Sequence, residues 1–206
     1  MKNVAILLSG RGSNFLALSD AVEAGTVPAQ ISLVISNIPS AEGLKHARKR
    51  NYTTLCIPSA GIERETYDRQ LAKKIQESDI EIICLAGFMR LLSPWFVQQY
   101  PNRILNIHPS LLPAFPGLHS QRQALEWGAK VSGCTVHMVD EELDHGPIIM
   151  QQAVPVLDND TEDTLSNRIL KSEHQLYPKA LKLMCEDDIC LEGRRACILK
   201  SDEEVG

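Results

Sequence analysis

The stretch that most constrains this chain is Arg103-Ile104-Leu105-Asn106-Ile107-His108-Pro109. It reads as an apolar strand ending on two polar side chains, Asn106 and His108. In an element of period two these point to the same side. Pro109 has no N–H for a sheet ladder and biases His108 towards an extended backbone, so the strand stops there. Pro113, Pro116 and Gly117 stiffen the exit loop. A histidine and a carboxamide at the C-terminal end of a central strand have the layout of a prepared site, because ligands of open α/β sheets bind outside those strand ends.

The pair also suggests a chemistry. Imidazole exchanges a proton near neutral pH, and a carboxamide donates to an oxygen that gains negative charge during acyl transfer. On these two residues alone the alternative stays open: Asn106 caps a turn and His108 is a satisfied core histidine.

The preceding half alternates strands and helices. Val4 to Leu8 is a short continuous apolar run, the pattern of a strand covered on both faces; Ile31 to Ile35 and Thr53 to Ile57 read as a second and third strand, and Ile80 to Ala86 as a fourth, buried one. Helical patterns lie between them, from Phe15 to Val22, at Ala41 to Arg50 (a basic, solvated face) and at Ile62 to Glu77, whose stripe is Tyr67, Leu71 and Ile75. Pro94 opens a further helix to Tyr100. After the central stretch a helix spans His119 to Trp127, and strands at Ser132 to Val139 and Ile148 to Val156 pair antiparallel. A long helix runs from Thr164 to Met184, with capping-box acids at its start and a kink at Pro178. Asp187 to Lys200 forms two short edge strands around Glu192-Gly193, and Asp202 to Gly206 is a frayed tail. The expectation is an α/β fold in one domain spanning 1–206, divided near residue 100.

Ser9-Gly10-Arg11-Gly12-Ser13-Asn14 joins the first strand to the first helix. Glycines let backbone N–H groups approach an anion, and the helix N-terminus favours negative charge. A dinucleotide fingerprint would need a third glycine where Phe15 stands, and an acid where the second strand ends at Ser36-Asn37. A single phosphate therefore fits better than a dinucleotide. A plain tight turn with Ser13 or Asn14 as helix cap remains the alternative.

Composition removes several classes. Over 206 residues the net charge is −5, which argues against a nucleic-acid or anionic-membrane surface. No apolar run is long enough to span a bilayer, and Met1-Lys2-Asn3 leads straight into a strand without a signal-peptide layout. The six cysteines form no C-x-x-C pair and read as reduced thiols of a cytoplasmic protein, with neither a disulfide framework nor a metal site.

Asn106-Ile107-His108-Pro109-Ser110-Leu111-Leu112-Pro113, with Leu143-Asp144-His145-Gly146-Pro147 downstream, resembles the folate-dependent formyltransferase family. The glycine turn, Ala86-Gly87-Phe88-Met89-Arg90 and Glu173-His174-Gln175-Leu176-Tyr177-Pro178 extend the resemblance to residues 2 to 185, towards members that act on glycinamide ribonucleotide in purine synthesis. The resemblance implies a Rossmann-like, mostly parallel twisted sheet with helices on both faces and an antiparallel C-terminal extension. It implies direct attack of the ribonucleotide amine on the formyl carbon of 10-formyltetrahydrofolate, without a metal and without a covalent enzyme intermediate, in a monomer or homodimer.

By the same resemblance Asn106 and His108 stabilise the oxyanion and manage proton transfer, while Asp144 keeps His108 charged. Gly12, Ser13 and Asn14 bind the phosphate, and Glu173 binds the ribose or glycinamide end. Arg64 and the segment Met89, Arg90, Leu91 and Leu92 line the folate site together with Asn106. Asp140, Glu141, Glu142, Leu143 and Asp144 close over the pterin, whose apolar walls are Leu85, Phe96, Val97, Ile104 and Val139. The chain departs from the family pattern in three places. Arg11 adds a cation beside the phosphate, His145 fills a slot that is often small, and Leu170 stands where a polar residue often contacts ribose.

Three other functions compete. A tRNA-directed formyltransferase calls for a further RNA-binding domain and a basic surface. A formyltetrahydrofolate hydrolase shares the catalytic residues but resembles a longer chain with an N-terminal regulatory domain. A non-catalytic nucleotide-binding module leaves Asn106, His108 and Asp144 unexplained as a set.

Overall fold

The structure, a computed structural model, describes residues 1–199. Lys200 and the expected tail from Asp202 to Gly206 lie outside the described residues. Among the described residues nine strands form one sheet in the order β3-β2-β1-β4-β5-β6-β7-β9-β8. β1 (Lys2–Leu8), β2 (Ala29–Ser36), β3 (Thr54–Cys56), β4 (Ile82–Leu85) and β5 (Ile104–His108) are parallel. β6 (Val131–Met138) runs antiparallel to both β5 and β7 (Ile148–Pro155). The C-terminal hairpin of β8 (Ile189–Glu192) and β9 (Arg195–Ile198) joins the edge, with Arg195 of β9 opposite Ile148 of β7.

β1 shows why the sheet needs helices on both faces. Its residues Val4 to Leu8 are all fully buried. Val4, Ile6 and Leu8 pack with Phe15 and Leu18 of α1 (Ser13–Glu23), Leu44 of α2 (Glu42–Lys49), Ala124 of α5 (Ser120–Glu126) and Ile169 of α6 (Glu162–Cys185). Ala5 and Leu7 face the other core, with Tyr67, Leu71 and Ile75 of α3 (Arg64–Gln76) and Phe96 of α4 (Pro94–Gln99). Each buried Leu or Ile removes enough apolar surface to stabilise the fold by about 1.5–3 kcal/mol. A polar residue anywhere in this run would therefore cost one of the two layers.

Several local expectations change. α2 is more than a solvated basic face, because Gly43, Leu44 and Ala47 are buried. The cap of α1 is neither Ser13 nor Asn14 but Gly12, at φ 79° and without a side-chain hydrogen bond. The α6 capping box uses Thr161 and Thr164 in place of the expected acids. That helix runs continuously through Pro178, which leaves the carbonyl of His174 without its usual i+4 donor. β6 is buried from Ser132 to Met138 on both faces, despite its alternating sequence. All six cysteines are free thiols. Among the described residues no helix is long and apolar enough to cross a membrane.

Candidate active site

β5 ends where expected and delivers His108 at its last position. The His108 ring is buried, with Nδ1 3.3 Å from Asp144 Oδ2 and Nε2 2.9 Å from the carbonyl oxygen of Phe115. Both nitrogens therefore face acceptor oxygens. Asp144 is correspondingly buried, at φ 50°, and its Oδ2 also accepts the backbone N–H of Gly117 at 2.8 Å. The downstream loop thus folds back over the exit from β5. Gly146 makes the return possible, since a Cβ there would lie 2.0 Å from the carbonyl oxygen of Met138.

Asn106 faces His137 across the β5–β6 ladder, with Nδ2 3.2 Å from His137 Nε2. His137 donates from Nδ1 to the carbonyl oxygen of Met138 at 2.8 Å, which leaves Nε2 to accept from the carboxamide. Burial disfavours its charged form and lowers its pKa, an effect the Met138 carbonyl and Asp144 only partly offset. Asn106 uses one N–H on this neutral ring and has a second to offer. Its Oδ1 is fixed by the same rotamer. Sequence reading missed His137 as a functional residue, and its only signal was a polar side chain inside a strand.

Three further side chains brace the site, Thr135 and Tyr177 buried and Gln151 reaching in from the exposed face of β7. Thr135 Oγ1 donates to Ser110 O at 2.7 Å and accepts from Leu112 N at 3.0 Å. Gln151 Nε2 reaches both Leu112 O and Thr135 Oγ1, at 2.8 and 2.9 Å. The exit loop after Pro109 is therefore held by β6 and β7. Tyr177 of α6 places its hydroxyl 3.0 Å from Leu85 O and 3.1 Å from Leu105 O, pinning β4 to β5 directly below Asn106.

At the glycine turn the first amides of α1 have no side-chain cap, so they stay open to an anion. Asn14 and Glu173, 159 residues apart in sequence, meet at 2.8 Å through Asn14 Nδ2 and Glu173 Oε2. Burial raises the Glu173 pKa and the Asn14 hydrogen bond opposes it. A groove of about 780 Å³ runs between α1 and α6 and is lined by Ser13 and His174 among others. Burial lowers the His174 pKa, and its Nε2 has no partner.

The expected folate elements divide into rim and support. Met89, Leu91 and Leu143 are exposed apolar side chains on the 88–92 and 140–144 loops. Arg90 turns away from that rim. Its Nη2 donates to Ile62 O at 2.8 Å and its guanidinium carbon lies 4.6 Å from the centre of the Tyr67 ring. Asp68, fully buried and with a pKa raised by that burial, accepts Ser93 N at 2.5 Å and fixes the end of the loop. Ser9 Oγ accepts Met89 N at 2.8 Å, so the glycine turn and this loop share an anchor. Arg64 is exposed at the start of α3. Of the expected apolar wall, Phe96 and Ile104 are fully buried and back it, while Leu85, Val97 and Val139 complete the same cluster. Glu141 accepts from Gln98 Nε2 at 2.7 Å, and Asp140 accepts Glu142 N at 3.0 Å. Leu92 is partly buried against the same core. Leu170, on α6, is partly exposed. Among the described residues no group of three or more His, Cys, Asp or Glu is arranged to hold a metal ion.

A parallel sheet whose central strand presents Asn106 and His108 against a loop aspartate defines a class: the chain belongs to the formyl transferase family, which matches residues 2–181. It is 44% identical over 201 residues to the phosphoribosylglycinamide formyltransferase of Escherichia coli, covering 94% of this chain and 95% of that protein. The glycinamide ribonucleotide transformylase 1 structure from Symbiobacterium toebii superposes with a TM-score of 0.95 at 47% identity, covering 97% of this chain and 95% of that one. The chain is also 50% identical over 186 residues to the trifunctional purine biosynthetic protein adenosine-3 of Drosophila melanogaster, where 89% of this chain spans 14% of that relative's length.

Proposed function

We propose that this protein transfers the formyl group of 10-formyltetrahydrofolate to the amine of glycinamide ribonucleotide. The observation that carries the reading is the convergence of Asn106, His108 and Asp144 from β5 and the 140–147 loop. In this reading residues 1–100 supply most of the phosphate site and residues 101–206 the catalytic residues and Glu173.

The amine lone pair attacks the formyl carbon and the carbonyl electron pair moves to oxygen. The free N–H of Asn106 donates to that oxyanion, and a donor aimed where charge develops lowers the barrier. His108 donates from Nε2 once the Phe115 carbonyl gives way to the substrate, since hydrogen bonds at a free site tighten only on binding. Collapse of the intermediate breaks the bond from the formyl carbon to folate N10. The proton lost by the amine balances the one N10 gains. Asp144 holds the imidazolium through Nδ1 and stays ionised. The open amides of α1 with Ser13 bind the phosphate, Asn14 and Glu173 bind the sugar or glycinamide end, and the apolar rim of Met89, Leu91 and Leu143 suits a flat pterin.

The test is acceptor dependence. Folate absorbance should change on incubation with 10-formyltetrahydrofolate only when glycinamide ribonucleotide is added. Equal turnover without the ribonucleotide would identify a hydrolase instead.

A further inference from the structure

The β8–β9 hairpin takes no part in the reaction derived above, yet its turn reaches the loop that carries Asp144. Arg194 Nη2 donates to the carbonyl oxygen of His145 at 2.6 Å. Arg194 Nη1 makes a close contact with His145 Nε2. On its other side the His145 ring places Nδ1 2.7 Å from Asp140 Oδ2. Arg194 Nη1 also lies 3.1 Å from His145 Nδ1, so the guanidinium sits against both ring nitrogens while Nδ1 faces the Asp140 carboxylate. The imidazole then bridges a guanidinium on the hairpin and a carboxylate at the start of the loop. Asp140 closes the loop internally as well, by accepting Glu142 N at 3.0 Å. The hairpin is anchored beside this contact, because Arg195 pairs with Ile148 where the loop enters β7.

We infer that Arg194 is a positioning residue that acts through His145 and Asp140 to hold the 140–147 loop in the conformation presenting Asp144 to His108. The inference rests on the proposed role of Asp144 in formyl transfer. Asp144 needs such support. It sits at φ 50°, a region non-glycine residues occupy uncommonly and keep only when the surroundings impose it. Inside the site its carboxylate is held by Gly117 N and His108. The residue following it is held from outside by Arg194. The side chains of His145 and Asp140 are 40% and 36% exposed, so solvent screens the relay and its loss is graded rather than total. A loop that spends part of its time displaced lowers the apparent affinity and the catalytic rate by the competent fraction.

The experiment compares wild type, Arg194→Ala, Arg194→Lys, His145→Ala and the double variant Arg194→Ala/His145→Ala. Two readouts are taken: amide hydrogen exchange by residue segment, and steady-state kinetics with both substrates. Arg194→Ala should speed exchange at residues 140–147 and lower kcat/KM for 10-formyltetrahydrofolate by about fivefold, with KM for the ribonucleotide within about twofold of wild type. Arg194→Lys should recover part of the loss, and the double variant should be no worse than the poorer single one. Unchanged exchange in the loop, or losses that multiply in the double variant, would overturn the inference. Fast exchange at residues 189–198 would assign Arg194 to hairpin stability and overturn it too. Should wild type transfer no formyl group, the proposed function fails by itself, and the exchange data still decide whether Arg194 holds the loop.

Discussion

Asn106 and His137 are directly opposed across the β5–β6 ladder, and the carboxamide Nδ2 lies 3.2 Å from a ring nitrogen whose partner nitrogen is committed to the Met138 carbonyl. A neutral histidine therefore sets the rotamer of the carboxamide to which the proposed reaction assigns the oxyanion. Replacing His137 with leucine should lower kcat on the order of tenfold to a hundredfold, the usual cost of a misplaced reacting group. KM for the ribonucleotide should change little. His137→Gln keeps an acceptor and should lose less. Burial keeps this ring neutral in the neutral range, so the kcat–pH profile of His137→Gln should have the wild-type shape. A profile that loses a limb would show that His137 itself titrates in the reaction.

Asn14 and Glu173 form the second joined pair, and a ground-state binding role is expected for both. Ser13→Ala or Asn14→Ala should raise KM for the ribonucleotide far more than KM for the folate, with kcat close to wild type. Movement of the folate KM alone would put the wrong substrate at the glycine turn.

Glu173 also predicts a pH dependence of stability. Its folded pKa lies above the ordinary carboxyl value of 4.5, because burial disfavours the charge. The folded state thus binds this proton more tightly than the unfolded chain does. That contribution is fully present below the unfolded pKa and is lost as pH rises through the folded one. Glu173→Gln removes the ionisation, so its melting temperature relative to wild type should climb as pH rises from 4.5 through the raised pKa. A difference that stays flat across that window would contradict the assigned cause.

Gly12 carries two constraints at once. It holds φ 79°, and a Cβ would stand 2.6 Å from the backbone Cα of Gly43. Gly12→Ala incurs about 1–2 kcal/mol for the left-handed backbone alone and must also push α2 away from the turn. Chemical denaturation should show a loss larger than that backbone cost, together with weaker ribonucleotide binding. A loss of only a few tenths of a kcal/mol would mean that α2 moves freely.

The parallel core was legible because β1 and β4 carry short apolar runs buried on both faces. Asn106 and His108 were legible because prolines end their strand. What was hidden depends on contacts distant in sequence. His137 looked like one polar position in an alternating strand, and only the β5–β6 register brings it to Asn106. Arg90 was legible only as part of the folate-lining segment, and nothing local showed that the carbonyls of Ser59 and Ile62 take its guanidinium. Asp68 sat unnoticed on the apolar stripe of α3, since nothing local reveals that the amide of Ser93 ends beside it. The basic sequence of α2 hid the close approach of Gly43 to Gly12.

The central claim is that Asp144 acts through His108 during formyl transfer, and a double-mutant cycle in kcat tests it most directly. Asp144→Asn and His108→Ala should each lower kcat on the order of a hundredfold or more, with both KM values within a small factor. His108→Ala/Asp144→Asn should be about as poor as His108→Ala alone, because the carboxylate has nothing left to hold. A double variant worse than His108→Ala by the full Asp144 effect would contradict the coupled pair and make Asp144 an independent base.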